Sequence, residues 1–351
     1  MERLDIAPDA YGSEAFAEVN ARVRAVKQPF TPELRSEGPF DIEVTVPQNG
    51  PGIYDADELI VHHLPPFAFA SSPLHRLGAI HVAEAFSTPV VTVSAPTLHP
   101  GYPFRMNKES YFTPYKDYLE AVDRALGKLE IPLGRVAFMG MSQGASIALA
   151  HAAKAVEDRK VPWIMAGEPP DVHNRSVQAI NRDLHITPSA FFDTMAATGL
   201  LDTFLAMYGI NTEGKDVEDR HVRRRLKRSF TRKILTTVAM GYAKNRKAFK
   251  AVLSDQNELS LAAGKATLHV SLAKIIQHED TTLMLARAEH STATPNGPFD
   301  GQIKYEVTRY GPERVTNLYL ATLQEANHAV AHNPGAVAHL GLLARSFAEK
   351  A

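Results

Sequence analysis

The chain has 351 residues, 44% of them hydrophobic and 22% charged, with a formal net charge of −1. These proportions fit a folded, well-cored protein and exclude a disordered chain, a collagen and a coiled coil, while the near-neutral balance offers no global attraction to nucleic acid or an anionic membrane. Cysteine is absent, which removes a disulfide framework, a thiolate nucleophile, a Cys-ligated zinc and an iron–sulfur cluster and leaves nucleophilic chemistry to Ser, Thr, Asp, Glu or Lys.

The opening MERLDIAPDAYGSEAF has no apolar run of a signal peptide, and no stretch of about 18 consecutive apolar residues follows. A cytoplasmic protein without a transmembrane segment is expected. Residues 1–40 read as an extension packing on the core. Asp41 to Pro47 alternates Ile42, Val44 and Val46 as a strand does, and Glu58 to His63 reads as a buried strand. A helix over Leu74 to Phe86 and a β-branched run over Pro89 to Ser94 complete a β–α–β unit.

Thr113 and Pro114 form a helix start, followed by Tyr115, Leu119, Val122, Leu126 and Leu129 at helical spacing. Strand Arg135 to Gly140 precedes the small-residue helix MSQGASIALAHAAKAV, and Val161 to Ala166 is a further strand. From 173 to 280 the pattern turns helical, with one helix predicted from Thr187-Pro188 through SAFFDTMAATGLLDTFLAMYG. Strands return at Thr282 to Arg287 and Val315 to Thr322, before a terminal helix over Pro334 to Lys350. The expected fold is α/β, with a mostly parallel sheet flanked by helices in a core of 41–172 and 281–351 and a mainly helical cap inserted at 173–280.

Gly140-Met141-Ser142-Gln143-Gly144 fits G-x-S-x-G between a strand and a helix, an arrangement that projects a serine from a sharp turn. The glycines have a steric task, because the turn brings the positions two before and two after the serine together. Ser142 is the candidate nucleophile. A serine hydroxyl needs a base and a group that orients that base. His328, in the loop after the last strand, is the candidate base; His332 and His339 fall at or inside the terminal helix. Glu289 is the only carboxylate in the loop Ala288-Glu289-His290-Ser291 and is the candidate acid, with Glu168 and Asp171, in the loop after the preceding strand, as alternatives. For the oxyanion, the N–H of Gln143 is one donor. Pro65 and Pro66 have none, so the second comes from His63, Leu64 or Phe67, with Leu64 favoured. His328 and His332 lack the third ligand of a metal site, and no metal or other cofactor is expected.

These residues resemble the α/β-hydrolase family: the elbow GMSQG after a strand, the HHLPP loop where members often have a His-Gly pair, and ANHAVAHNPGAVAHLGLLARSF, similar to the family's histidine loop and terminal helix. The resemblance covers about 58–172 and 281–351 and implies a Ser–acid–His hydrolase of the esterase or lipase kind. Ser291 stands where many members carry the catalytic Asp, and His63 replaces the usual Gly. The implied substrate is a small-molecule or lipid-like carboxylic ester. A scaffold that has lost catalysis and an acyltransferase using the same residues are the alternatives.

Between Arg220 and Lys233 eight of fourteen residues are basic, and Val222, Leu226, Phe230 and Ile234 recur every four. This is an amphipathic helix with a solvated basic face, suited to an anionic ligand or surface; nucleic acid is not an expected partner. The run from Phe191 to Met207 supplies apolar material for a core or for a pocket wall.

Overall fold

The computed structural model describes residues 1–26, 33–37, 40–64, 73–94, 115–169, 188–244, 271–291, 296–327 and 333–350. Among these, nine strands form one sheet: β1 (Glu2–Ile6), β2 (Glu33–Glu37), β3 (Phe40–Thr45), β4 (Leu59–His63), β5 (Val90–Ser94), β6 (Val136–Met141), β7 (Trp163–Gly167), β8 (Thr282–Ala288) and β9 (Leu318–Leu323). Their order is β1-β9-β8-β7-β6-β4-β5-β3-β2. Pairing is parallel from β1 through β5 and antiparallel only where β3 and β2 finish the far edge. The helices are α1 (Ala17–Ala25), α2 (Pro73–Phe86), α3 (Tyr115–Lys128), α4 (Gln143–Ala155), α5 (Pro188–Ala197), α6 (Leu201–Met207), α7 (Arg220–Lys244), α8 (Leu272–Ile275), α9 (Asn296–Tyr310) and α10 (Pro334–Ala348).

The central strands read as unbroken apolar runs because both of their faces are covered. Along β4, β6, β7 and β8 successive side chains alternate between two cores. Val61, Phe138, Ile164 and Leu283 face one core, which includes Val122 and Leu126 of α3 and Ala148 and Ala152 of α4. Ile60, Met139, Trp163 and Met284 face the other, which includes Val82 and Phe86 of α2 and Val337 and Leu340 of α10. This mostly parallel sheet, covered by helices on both faces and carrying a serine at a strand-to-helix turn, is the α/β-hydrolase fold.

Several elements differ from the sequence reading. The residues before 41, expected to pack on the core as an extension, supply β1 and β2 to the sheet itself. The single helix expected from 187 to 209 is broken into α5 and α6 at Gly199, whose φ of +72° ends a helical run at low cost only for glycine. Helix α9 carries few buried apolar positions and was not foreseen. The Thr113-Pro114 start lies outside the described residues.

Helices α5, α6 and α7 enter the chain between β7 and β8. Phe192, Met195, Phe204, Leu205, Leu226 and Phe230 join Val23 of α1 and Leu77 and Ile80 of α2 in a third core. The rings of Phe192 and Phe204 lie 6.2 and 5.2 Å from that of Phe230. The apolar run of the insertion is therefore largely interior. Among the described residues no helix is long and apolar enough to cross a membrane.

Two buried histidines give the fold a pH dependence. Burial, with a smaller contribution from His75, drives the pKa of His62 down to about 3, and burial drives that of His81 down to about 4. Among the described residues neither Nδ1 has a hydrogen-bond partner. The unfolded chain protonates both near pH 6.5 while the folded chain does not, so stability falls as pH drops from about 6.5 toward 4, by about 1.4 kcal/mol per pH unit for each histidine. Urea midpoints should change little from pH 7.5 to about 6.5 and then decline toward pH 5, and His81→Leu should flatten that decline; a flat wild-type profile between about pH 6.5 and 5 would contradict the linkage.

Candidate functional site

Parallel strands end at one edge of a sheet, and in open α/β sheets ligands bind there. Here the loops after β6, β7, β8 and β9 are tied to one another at that edge. The Ser142 N–H donates to Gly167 O (2.8 Å), the Glu168 N–H to Ala286 O (2.7 Å), the Glu289 N–H to Leu323 O (3.0 Å) and the His290 N–H to Ala326 O (2.8 Å). Each loop thus continues the hydrogen-bond ladder one step past its strand.

Ser142 precedes the first turn of α4 with φ 55° and ψ −131°, a conformation that costs a non-glycine residue about 1–3 kcal/mol and needs surrounding structure to hold it. The turn is as tight as its glycines imply. A Cβ on Gly140 would lie 2.3 Å from the Gly144 oxygen, and one on Gly144 would lie 2.3 Å from the His63 oxygen. Gln143 is the first residue of α4, so its N–H has no carbonyl to reach within the helix.

Of the five described non-glycine residues with positive φ, three stand at this edge: Ser142, Glu168 and Glu325. Glu168 is fully buried. Its carboxylate accepts from the Ala288 N–H and from the Ser291 hydroxyl, donors a buried carboxylate requires. The serine that replaces the expected Asp after β8 therefore bonds to a carboxylate sent across from the loop after β7. Glu289 stands at the rim, with its side chain 47% exposed, and accepts from the Glu325 N–H at 2.8 Å. His328 and Asp171 lie outside the described residues; Asn327, next to His328, is described.

The expectation for Leu64 needs correction. Its N–H donates to Val93 O at 3.0 Å, which extends the β4–β5 ladder by one residue and commits that donor to the sheet. Of the other two candidates, His63 is the last residue of β4, and Phe67 lies outside the described residues.

A buried polar chain behind the elbow was not foreseen. His63 Nε2 lies 2.9 Å from His151 Nδ1, and His151 Nε2 lies 2.9 Å from Asp123 Oδ1. Lys154 and Arg159 also donate to Asp123, at 2.8 and 3.1 Å. Burial tends to raise the Asp123 carboxyl, but the hydrogen bond from His151, with Lys154 and Arg159, holds it below the usual carboxylate range. An ionised Asp123 makes His151 Nε2 the donor, leaving His151 Nδ1 to accept from His63 Nε2–H. Burial above all holds both imidazoles neutral, His63 well below its ordinary value. The sequence signal was one histidine in the otherwise small and apolar run ASIALAHAA. The chain joins the end of β4, whose His63 carbonyl meets Gly144, to the body of α4. Among the described residues no group of side chains could hold a metal ion.

The chain is similar in structure to a carboxylesterase of the ammonia-oxidizing thaumarchaeon Nitrososphaera gargenis, with 14% identity, 89% of this chain and 95% of that one covered, and a TM-score of 0.49. It is similar to a soluble variant of monoglyceride lipase from Saccharomyces cerevisiae, with 13% identity, coverage of 92% and 96%, and a TM-score of 0.49. It is also similar to the thioesterase domain from the curacin biosynthetic pathway, with 15% identity, coverage of 90% and 99%, and a TM-score of 0.46. No protein-family model matches the chain, and no curated protein matches it.

The His63–His151 contact yields a non-additivity. His151→Leu alone strands the His63 N–H in the core and should cost about 1–3 kcal/mol. Adding His63→Leu removes the stranded donor, so the double variant should be less destabilised than the sum of the singles in a urea-denaturation double-mutant cycle. Strict additivity would show that the two rings do not interact.

Proposed function

With the α/β-hydrolase fold as premise, we propose that the chain is a serine hydrolase that cleaves a carboxylic ester through an acyl-enzyme on Ser142. The observation that carries this reading is the strained backbone of Ser142, at φ 55°, clamped by two glycines whose Cβ positions are already filled by main-chain atoms. Strain of this kind persists where a side chain must be presented in one orientation.

In this reading His328, in the loop after β9, takes the proton from Ser142 Oγ as the hydroxyl attacks the ester carbonyl, and returns it to the departing alcohol. Water then attacks the acyl-enzyme by the same route and releases the acid. The Gln143 N–H at the start of α4 stabilises the oxyanion, with a second donor from the segment after Leu64. Helices α5 to α7 form the cap over 173–280, and the substrate is a small-molecule or lipid-like ester.

For the acid, the role passes from Glu289 to Glu168. The support is the burial of the Glu168 carboxylate and its bond to Ser291, the residue at the position of the family's usual Asp. Glu289 spends its carboxylate on the Glu325 amide at the rim and holds the loop that leads to His328.

A fluorophosphonate probe read by intact mass should add once to the wild-type protein and not to Ser142→Ala; equal labelling of the two would remove Ser142 from the reaction. Glu168→Gln, which keeps the side chain's size, should lower kcat by about 10²–10⁴-fold on a p-nitrophenyl ester, while Glu289→Gln stays within a few-fold of wild type. The reverse pattern returns the acid role to Glu289, and loss confined to Asp171→Asn gives it to Asp171.

A further inference from the structure

Helix α7 carries nine Lys and Arg and no Asp or Glu in a chain whose net charge is −1. Six of these cations fall into two groups. Arg223 reaches Glu218 at 3.8 Å, Lys227 pairs with Asp193 on α5, and Lys233 donates to the Tyr208 carbonyl. Arg224, Arg228 and Arg232 have no carboxylate partner among the described residues, although they follow one another every four positions and so share one face. Like charges at that spacing oppose the helix, and a face kept only for solubility mixes signs.

The three arginines are not spread over a convex surface. With Lys227, Thr231, Leu235, Thr236 and Ser189, the last from the first turn of α5, they line a shallow, open groove of about 750 Å³. Guanidinium groups match phosphate oxygens two at a time, and hydroxyls add neutral donors.

A membrane-surface helix also needs an apolar face free to enter the lipid. On α7 that face is spent: Leu226 and Phe230 are buried in the third core with Val222 and Ile234 packed against it. Of the large apolar side chains described on this helix only Leu235, at 56% exposure, stands in solvent. One side chain does not make a membrane anchor.

We propose that the groove between α5 and α7 binds a soluble organic phosphate carrying two or more negative charges, gripped by Arg224, Arg228 and Arg232. None of its lining residues belongs to the loops that carry Ser142, Glu168 or Glu289, and the proposal stands or falls independently of their chemistry.

Calorimetric titration of the full chain with inorganic pyrophosphate, at about 0.15 M salt where long-range attraction is largely screened, tests the proposal. Wild type should bind saturably at one site, and Arg228→Gln/Arg232→Gln should bind at least tenfold more weakly. Arg223→Gln removes a cation of the same helix from outside the groove and should leave binding unchanged. Arg228→Lys keeps the charge but not the two-pronged geometry and should bind several-fold more weakly, which preserves the test if the double variant is poorly folded by circular dichroism. No saturation at about 1 mM pyrophosphate, or equal losses in the Arg223 and Arg228/Arg232 variants, would overturn the proposal. So would co-sedimentation of the wild type with phosphatidylserine-containing vesicles that pyrophosphate does not reverse, which would assign the stripe to a membrane surface.

Discussion

The structure is organised around one close approach. Between β6 and α4 the chain reverses so tightly that the Cβ positions of Gly140 and Gly144 fall inside the main chain of the turn and of the end of β4. Everything around that contact is small or rigid. Helix α4 buries Ala145, Ala148, Ala152 and Ala155, so its axis can run close over β6 and β7. Dispersion and hydrophobic gains scale with such close-packed area, and they press a strained residue into a geometry it would not otherwise keep. The chain from His63 through His151 to Asp123 braces the same contact from behind, because it fastens the strand that meets Gly144 to the helix that carries Gly144.

The contact between the loops after β7 and β8 follows from strand spacing. Neighbouring strands lie about 4.8 Å apart, so a carboxylate just after β7 is one step from the residues that end β8. Glu168 spans that step and reaches the Ala288 amide and the Ser291 hydroxyl. Glutamate has one more methylene than aspartate with which to span the gap. Its backbone is also held at positive φ, at 56°.

The central strands and the elbow were legible in the sequence because their signals are strong and local. β4, β6, β7 and β8 are apolar on both faces, and GMSQG sits at a strand-to-helix change of pattern. The edge strands were not, since ERLDI and ELRSE carry the charges that edges tolerate and that periodicity scoring rejects. Helix α9 was hidden by the polar NGPFDGQIKYEVTRY, which buries Ile303, Glu306 and Val307 but little else on its described turns. The burial of Glu168 was not visible in the sequence, because it depends on how the loops after β7 and β8 meet. The Leu64 assignment failed for a related reason: how far a ladder runs past its strand is set by the partner strand, and Val93 claimed the donor.

The pairing of β1 with β9 places Glu2 opposite Tyr319 and Ile6 opposite Leu323. Within this chain β1 is made before β9, its neighbour in the sheet among the described strands. Its place lies beyond β9, so that edge cannot close until β9 has been made. The pairing joins strands from opposite ends of the described residues like a clasp.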